Sequence, residues 1–195
     1  MKTHIITNWR EFSSLEDEWN DLLTASESDT IFLTWEWIQA WHDVVGDDIK
    51  LFVITVRDDH ERLIGIAPFY QYTIRLLGRI KFKALRILAD HATGFEYADW
   101  IAHTDCQQSV LITIADELMR SSRGWDLIWM PKMSGWSGAY ERLTEIFSKA
   151  GFLYHCRHTD FAARTLPDSI QSFEDGFSAK RRQQLRRNRR KLTNT

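Results

Sequence analysis

The sequence predicts a mixed α/β domain, a largely antiparallel sheet flanked by helices on both faces. Three observations predict it. Residues 51–57 (LFVITVR) and 62–74 are two runs rich in β-branched and apolar side chains, separated by an acidic turn at 58–61, the pattern of a β-hairpin. Four other segments repeat their apolar residues at three- and four-residue intervals, the spacing of helices that bury one face. In chain order the segments read strand, two helices, a run of antiparallel strands, then helix, strand, helix and strand.

Each element carries its own local signal. Residues 4–7 are a short β-branched run, a first strand. Ser13 and Glu16 form a capping box ahead of Leu15, Trp19, Leu22 and Leu23, which predicts a helix over residues 14–25. Thr34 caps a second helix through Trp37, Trp41, Val44 and Val45, closed by Gly46. In the returning hairpin strand Leu63, Ile64, Ile66, Ala67, Phe69 and Tyr70 form the interior. Pro68 lacks an N–H and implies a bulge or an edge there. Residues 75–83 read as a basic connection around Gly78, and 84–88 and 97–102 as two further strands. Residues 106–120 place Val110, Leu111, Ile114 and Leu118 on one side of a third helix. Residues 126–130 (DLIWM) read as a buried strand. Residues 139–150, with Leu143, Ile146 and Phe147, read as a fourth helix ended by Gly151. Residues 152–157 and 161–166 are the last strand candidates. No repeat or low-complexity linker interrupts this order, so residues 1–168 read as one domain and 169–195 as a separate basic helix.

Composition bounds the function. The chain is 44% hydrophobic and 13% aromatic, enough for a packed core and unlike a disordered chain. Cys106 and Cys156 are the two cysteines and make no disulfide framework, which fits a reducing, cytoplasmic setting. The first residues lack the apolar run of a signal peptide, and no apolar stretch approaches the roughly 20 residues that span a bilayer. No membrane partner is expected. The nine tryptophans fit large aromatic core layers first, and an extended or sugar-like ligand second.

The charge is unevenly placed. Residues 180–191 hold eight basic residues and no acidic one, against 17 basic and 27 acidic residues elsewhere. Ser178 is a fitting N-cap, and Phe177, Leu185 and Leu192 fall on one helical face. Repulsion between i,i+4 cations such as Arg182 and Arg186 predicts a helix partly docked through Phe173 and Phe177, its last turns mobile or held by the acidic body.

The pattern Phe-x-x-x-Phe-Ser-x-Lys-Arg-Arg-x-x-Leu-Arg-Arg-x-x-Arg-Lys-Leu, residues 173–192, resembles the segment joining the two halves of the CelD/BcsL-type acyltransferases, FemAB-like relatives within the GNAT superfamily. The segments WEWIQAW, LIGIAPFY and YADW carry the same resemblance, and the order of elements agrees with the GNAT order. The resemblance implies a GNAT-like fold and transfer of an acyl group from acetyl-CoA or another acyl-CoA to an amine or hydroxyl acceptor. It also implies that this chain is the first half plus the opening helix of a second. The family's link to polysaccharide and cell-envelope genes implies a saccharide-type or other small-molecule acceptor.

In a GNAT enzyme the acyl-CoA pyrophosphate rests on backbone N–H groups where the third helix begins, behind a Q/R-x-x-G-x-G/A motif. The matching connection here, residues 103–108 (HTDCQQ), has no glycine and carries Asp105 where the anion would sit. A partial match at Arg75-Leu-Leu-Gly78-Arg-Ile80 makes Arg75 and Gly78 the cofactor-binding candidates, although it leads into a strand. The cofactor is therefore expected mainly on the second GNAT-like half; that half, or a homodimer, is the protein partner expected. The better functional candidate is FEYADW, residues 95–100. Alternation places Tyr97 and Asp99 on one face, where the acid serves as a base or positions the acceptor. The equal alternative is a strand-end Asp paired with an arginine. His91, Trp100, Trp129 and Ser137 are the candidates for lining the acceptor site. Ser134-Gly-Trp-Ser-Gly138 lacks the spacing of a nucleophile elbow but lies where open α/β sheets line their clefts. His155, Cys156 and His158 complete no tetrahedral set, and no metal is expected. The competing reading is a non-catalytic module that grips nucleic acid or another polyanion through Lys180, Arg181, Arg182, Arg186 and Arg187.

Overall fold

The β-branched and aromatic runs pair as their pattern requires. β2 (Lys50–Arg57) and β3 (Leu63–Leu76) form an antiparallel hairpin at the middle of the sheet, in register from Lys50↔Gln71 to Arg57↔Leu63 with a bulge at Val56/Arg57. The structure, a computed structural model, describes residues 1–46, 49–90, 94–159 and 167–193. β1 (Lys2–Ile6) lies antiparallel to β2. On the other side of β3, β4 (Ile80–Ile87) pairs with its outer part and the short β5 (Ile101–Ala102) with Gly65 and Ile66, both antiparallel. β6 (Leu127–Trp129) then runs parallel to β4.

Pro68 falls in the gap between the β4 and β5 pairings. A strand residue points its N–H and C=O to the same side. Here the C=O accepts from Leu88 N at 2.7 Å and no ladder partner awaits the missing N–H. The position is a local edge, and the bulge lies at Val56/Arg57.

Alternation along β3 separates the two helical layers. Tyr70 meets Trp41 of α3 (Trp35–Val45) on one face, with ring centroids 5.5 Å apart. Gly65, of opposite parity, meets α4 (Gln107–Arg120), and a Cβ at Gly65 would lie 2.3 Å from Val110 Cγ1. The strand thus uses a glycine where a helix comes closest. α3 is capped as its sequence predicts: Thr34 Oγ1 accepts from Trp37 N, and Gly46 closes it at φ 75°. The capping box at Ser13 is not formed. The chain is already helical from α1 (Trp9–Phe12), capped by Asn8, whose Oδ1 accepts from Glu11 N. Ser13 Oγ donates back to Trp9 O, and a 3-10 turn leads into α2 (Glu16–Thr24). An acceptor before an apolar periodic run is a cap only where the preceding residues are extended. Phe12, Trp19 and Trp35 pack edge-on and stacked beneath these helices, and Trp19 Nε1 donates to Leu33 O at 2.7 Å.

Four other expectations are corrected. Residues 75–83 are not a connection: β3 and β4 run through them to a tight three-residue turn, 77–79, in which Leu77 and Gly78 adopt positive φ and Arg79 N donates to Leu76 O at 3.1 Å. Residues 97–102 are strand only at Ile101–Ala102, because Tyr97 adopts φ 61° and breaks the alternation. β6 is half-buried rather than buried, pairing β4 on one side. Residues 152–157 form no strand and are mostly exposed, whereas 161–166 lie outside the described residues.

The chain divides into two compact units, Met1–Tyr154 and His155–Thr195. The first holds the sheet, the helices already named and α5 (Ala139–Lys149). The second holds α6 (Ile170–Asp175) and α7 (Ala179–Thr193). Ser169 caps α6 by accepting from Ser172 N, and Ser178 Oγ accepts from Arg181 N at 3.4 Å at the start of α7. Phe173 and Phe177 meet edge-on at 4.9 Å. Beyond Leu185, Arg189 Nη2 donates to Glu174 Oε1 at 2.6 Å, and Glu174 is buried.

Candidate functional site

β4 and β6 are the parallel pair, and in open α/β sheets the loops at the carboxyl ends of parallel strands make the ligand clefts. The loops after these two strands meet. Ala98 and Met133 form a parallel bridge, Ala98 N donates to Lys132 O at 2.9 Å, and Ser134 N to Ala98 O at 3.2 Å. Tyr97 and Lys132, each the residue just before its bridge partner, both adopt positive φ, a conformation that non-glycine residues hold only where the surroundings fix it. Lys132 Nζ also donates to Glu96 Oε1 at 2.6 Å.

Asp99 is the centre of the junction and is wholly buried. Its Oδ1 accepts from Trp100 N at 2.9 Å and its Oδ2 from Ser134 Oγ at 2.5 Å. Ser137 Oγ lies 3.1 Å from Ser134 Oγ and accepts from Ala139 N at 3.2 Å, which links Asp99 to the first turn of α5 through two hydroxyls. Ser28 Oγ donates to Trp100 O, so a third loop closes over the same point. Burial pushes the Asp99 carboxyl above the ordinary aspartate range, against the lowering effect of bonds from Ser134, Ser137, Trp100 N and Ser28. The partners of this acid are hydroxyls and a peptide N–H.

The aromatic side chains around the junction are more open. The Tyr97 ring lies 4.9 Å from Trp136 and 6.0 Å from Phe32, and Trp136 Nε1 donates to Glu27 O at 3.1 Å. Trp136 is 47% exposed. Gln107 at the start of α4 holds the same loop through Ser137 O at 3.0 Å.

The structure therefore brings together Tyr97, Asp99, Trp100 and Ser137. Trp100 is a core residue, its ring against Phe69 and Phe147. Trp129 is exposed on β6. His91 lies outside the described residues. Sequence reasoning missed Ser28, Phe32, Ser134 and Trp136 as parts of this junction. The Ser-Gly-Trp-Ser-Gly run held the signal for two of them, whereas no local pattern marks Ser28 or Phe32.

The residues present do not fit an acyl-CoA cradle. At the start of α4, Asp105 N donates to His103 Nδ1 and Cys106 N to His103 O, and the Asp105 side chain is exposed in front of them. A phosphate there would meet a carboxylate and N–H groups already bonded. Arg75 and Gly78 stand on a hairpin that leads into the strand β4 and not into a helix. Among the described residues no group of three His, Cys, Asp or Glu side chains could hold a metal ion.

On α7, Lys180, Arg181, Arg186 and Arg187 are exposed. Arg182 instead turns back, donating to Asp175 O and Phe177 O.

No protein-family model matches the chain, and no curated protein matches it. Solved structures do match in fold. A mutant of the BH1408 protein of Bacillus halodurans is 12% identical, with a TM-score of 0.50 over 84% of this chain and 100% of that one. A ribosomal-protein-alanine N-acetyltransferase of Brucella melitensis biovar Abortus is 10% identical, with a TM-score of 0.41 over 85% of this chain and 100% of that one. An aminoglycoside 6′-N-acetyltransferase of Acinetobacter haemolyticus is 10% identical, with a TM-score of 0.43 over 85% and 99%. The likeness to the BH1408 protein is one of fold alone: a mixed, mostly antiparallel sheet with flanking helices.

Proposed function

We propose that this chain is the acceptor-binding half of a GNAT-type acyltransferase of the CelD/BcsL kind, working with a second GNAT-like unit that holds the acyl-CoA. The observation that carries the reading is the junction of the two loops at the carboxyl ends of β4 and β6, beside an α4 start unsuited to a pyrophosphate. Tyr97 and Trp136 form the acceptor surface, with aromatic faces that suit the apolar face of a sugar ring or an amine. Asp99, wholly buried, acts by holding the Ser134–Ser137 turn in place. A saccharide or other amine- or hydroxyl-bearing small molecule is the acceptor.

Calorimetric titration of the chain with amino-sugar oligomers tests this. Saturable binding is expected, weakened at least about fivefold by Trp136→Ala, in keeping with one lost aromatic contact. Absence of binding, or equal binding by the variant with an unchanged melting temperature, contradicts it.

A second reading rests on the exposed Lys180, Arg181, Arg186 and Arg187 of α7, which suit a polyanion such as nucleic acid.

A further inference from the structure

The register of β3 and β4 gives the outer end of the sheet two chemically different faces. β2 reaches only to Gln71 of β3, and β6 begins opposite Ala84 of β4. Among the described residues, 72–83 therefore extend past both neighbouring strands as a two-stranded ribbon, touched at its base by Asp126, which donates its N–H to Lys83 O at 2.8 Å and accepts from Lys83 N at Oδ2 at 2.7 Å. Directly paired residues share a face, and faces alternate along each strand. Ile74↔Phe82 and Leu76↔Ile80, with Tyr72, form one face; Thr73↔Lys83 and Arg75↔Lys81 form the other. The first is wholly apolar or aromatic and the second is cationic.

The apolar face continues the one on which Tyr70 packs, and Tyr72 meets the Tyr70 ring edge-on at 6.5 Å. Outward of it, Leu76 and Ile80 are 50% and 52% exposed, and Leu77 at the turn is 87% exposed. Between Arg62 and Asp90 the chain has no acidic residue, but it has Arg75, Arg79, Lys81, Lys83 and Arg86. Arg86 is held by Asp90 at 2.9 Å and lies over the Tyr72 ring, so the free cations are those nearer the tip.

A two-stranded ribbon with a solvated apolar face is marginal in water, and like charges directly opposite, such as Arg75 and Lys81, weaken it further. Both costs fall if one partner supplies hydrocarbon and negative charge together. Nucleic acid would satisfy the cations but give nothing to Leu76, Leu77 and Ile80. A second copy would bring another cationic ribbon. A bilayer with anionic headgroups offers both, as it does to amphipathic elements that lie in the interface.

We propose that the ribbon at residues 72–83 is a peripheral contact for anionic phospholipid surfaces. Leu76, Leu77 and Ile80 enter the boundary between headgroups and acyl chains, and Arg75, Arg79, Lys81 and Lys83 meet the headgroup phosphates. This is a surface contact and not a span, since no described helix is long and apolar enough to cross a membrane. It departs from the expectation that no membrane is involved, and it stands independently of the transferase reading.

Co-sedimentation of the full chain with phosphatidylcholine vesicles, with and without about one third phosphatidylglycerol, tests it. Leu77→Asp and the pair Arg75→Glu with Lys81→Glu are compared with the wild type, all keeping α7 intact. These side chains are exposed, so unchanged melting curves are expected and verify folding. The wild type is expected to bind the anionic vesicles and to bind pure phosphatidylcholine weakly. Leu77→Asp should reduce binding roughly tenfold, and the charge pair by at least as much, at roughly fivefold for each cation lost. Failure of the wild type to bind overturns the proposal. So does undiminished binding by folded ribbon variants, which would place lipid binding on α7. Loss of DNA binding or of a dimer in those variants, with vesicle binding unchanged, overturns it as well.

Discussion

Ser134 Oγ lies 2.5 Å from Asp99 Oδ2, and this bond joins the loop that follows β6 to the loop that follows β4. Because Asp99 is wholly buried, its loss is felt as unsatisfied partners. Asp99→Ala strands Trp100 N and leaves the Ser134 hydroxyl only Ser137 Oγ, and is expected to cost about 2–4 kcal/mol in urea unfolding. Asp99→Asn keeps an acceptor for Trp100 N and is expected to cost about 1 kcal/mol.

The same residue sets a pH dependence. Burial raises the folded-state pKa of Asp99, so its contribution to stability is fully present below the ordinary aspartate pKa. It is lost as pH rises through the folded value. Asp99→Asn does not titrate. The stability of the wild type relative to Asp99→Asn should therefore fall as pH is raised from 4 towards 8, measured by urea unfolding at each pH. A difference that stays flat or rises would show that the Asp99 carboxyl is not held in its neutral form.

At Gly65 the added Cβ of Gly65→Ala meets Val110 Cγ1 at 2.3 Å and pushes α4 off β3. A loss of about 1–3 kcal/mol is expected. Val110→Ala removes the clashing methyl, so the double variant should be more stable than the sum of the two single changes, a coupling of about 1 kcal/mol or more in thermal or urea unfolding.

Much of the fold was legible because local chemistry and tertiary position agree. LFVITVR and the returning strand carry β-branched residues at a paired centre, and Thr34 is followed by an apolar period that buries Trp35, Ile38 and Trp41. Legibility failed where a distant partner decides. Ser13 is a cap in isolation, but Asn8 starts the helix earlier. Residues 75–83 read as a basic loop because their apolar face has no core to bury it, although the strand alternation is intact. The importance of Gly65 depends on Val110, 45 residues away in sequence. At the junction, Tyr97 and Asp99 were legible as chemistry. Their geometry was not, because a positive φ at Tyr97 cannot be read from a sequence that alternates like a strand.

The tail offers a separate check. Arg189 holds Glu174 at 2.6 Å, although like charges crowd the helix that carries it. Glu174→Ala should lower hydrogen-exchange protection after Leu185 by about three- to tenfold, the effect of about 1 kcal/mol in local opening. Protection unchanged by the substitution would mean that other contacts hold the end of α7.

The central claim is that this chain supplies the acceptor side and lacks a cradle for the acyl donor. Calorimetric titration with acetyl-CoA addresses it most directly. With Asp105 facing any incoming phosphate and the His103 turn using the N–H groups of Asp105 and Cys106, no saturable binding tighter than about 1 mM is expected for the chain alone. A dissociation constant in the micromolar range would contradict the account and place the donor site in this half.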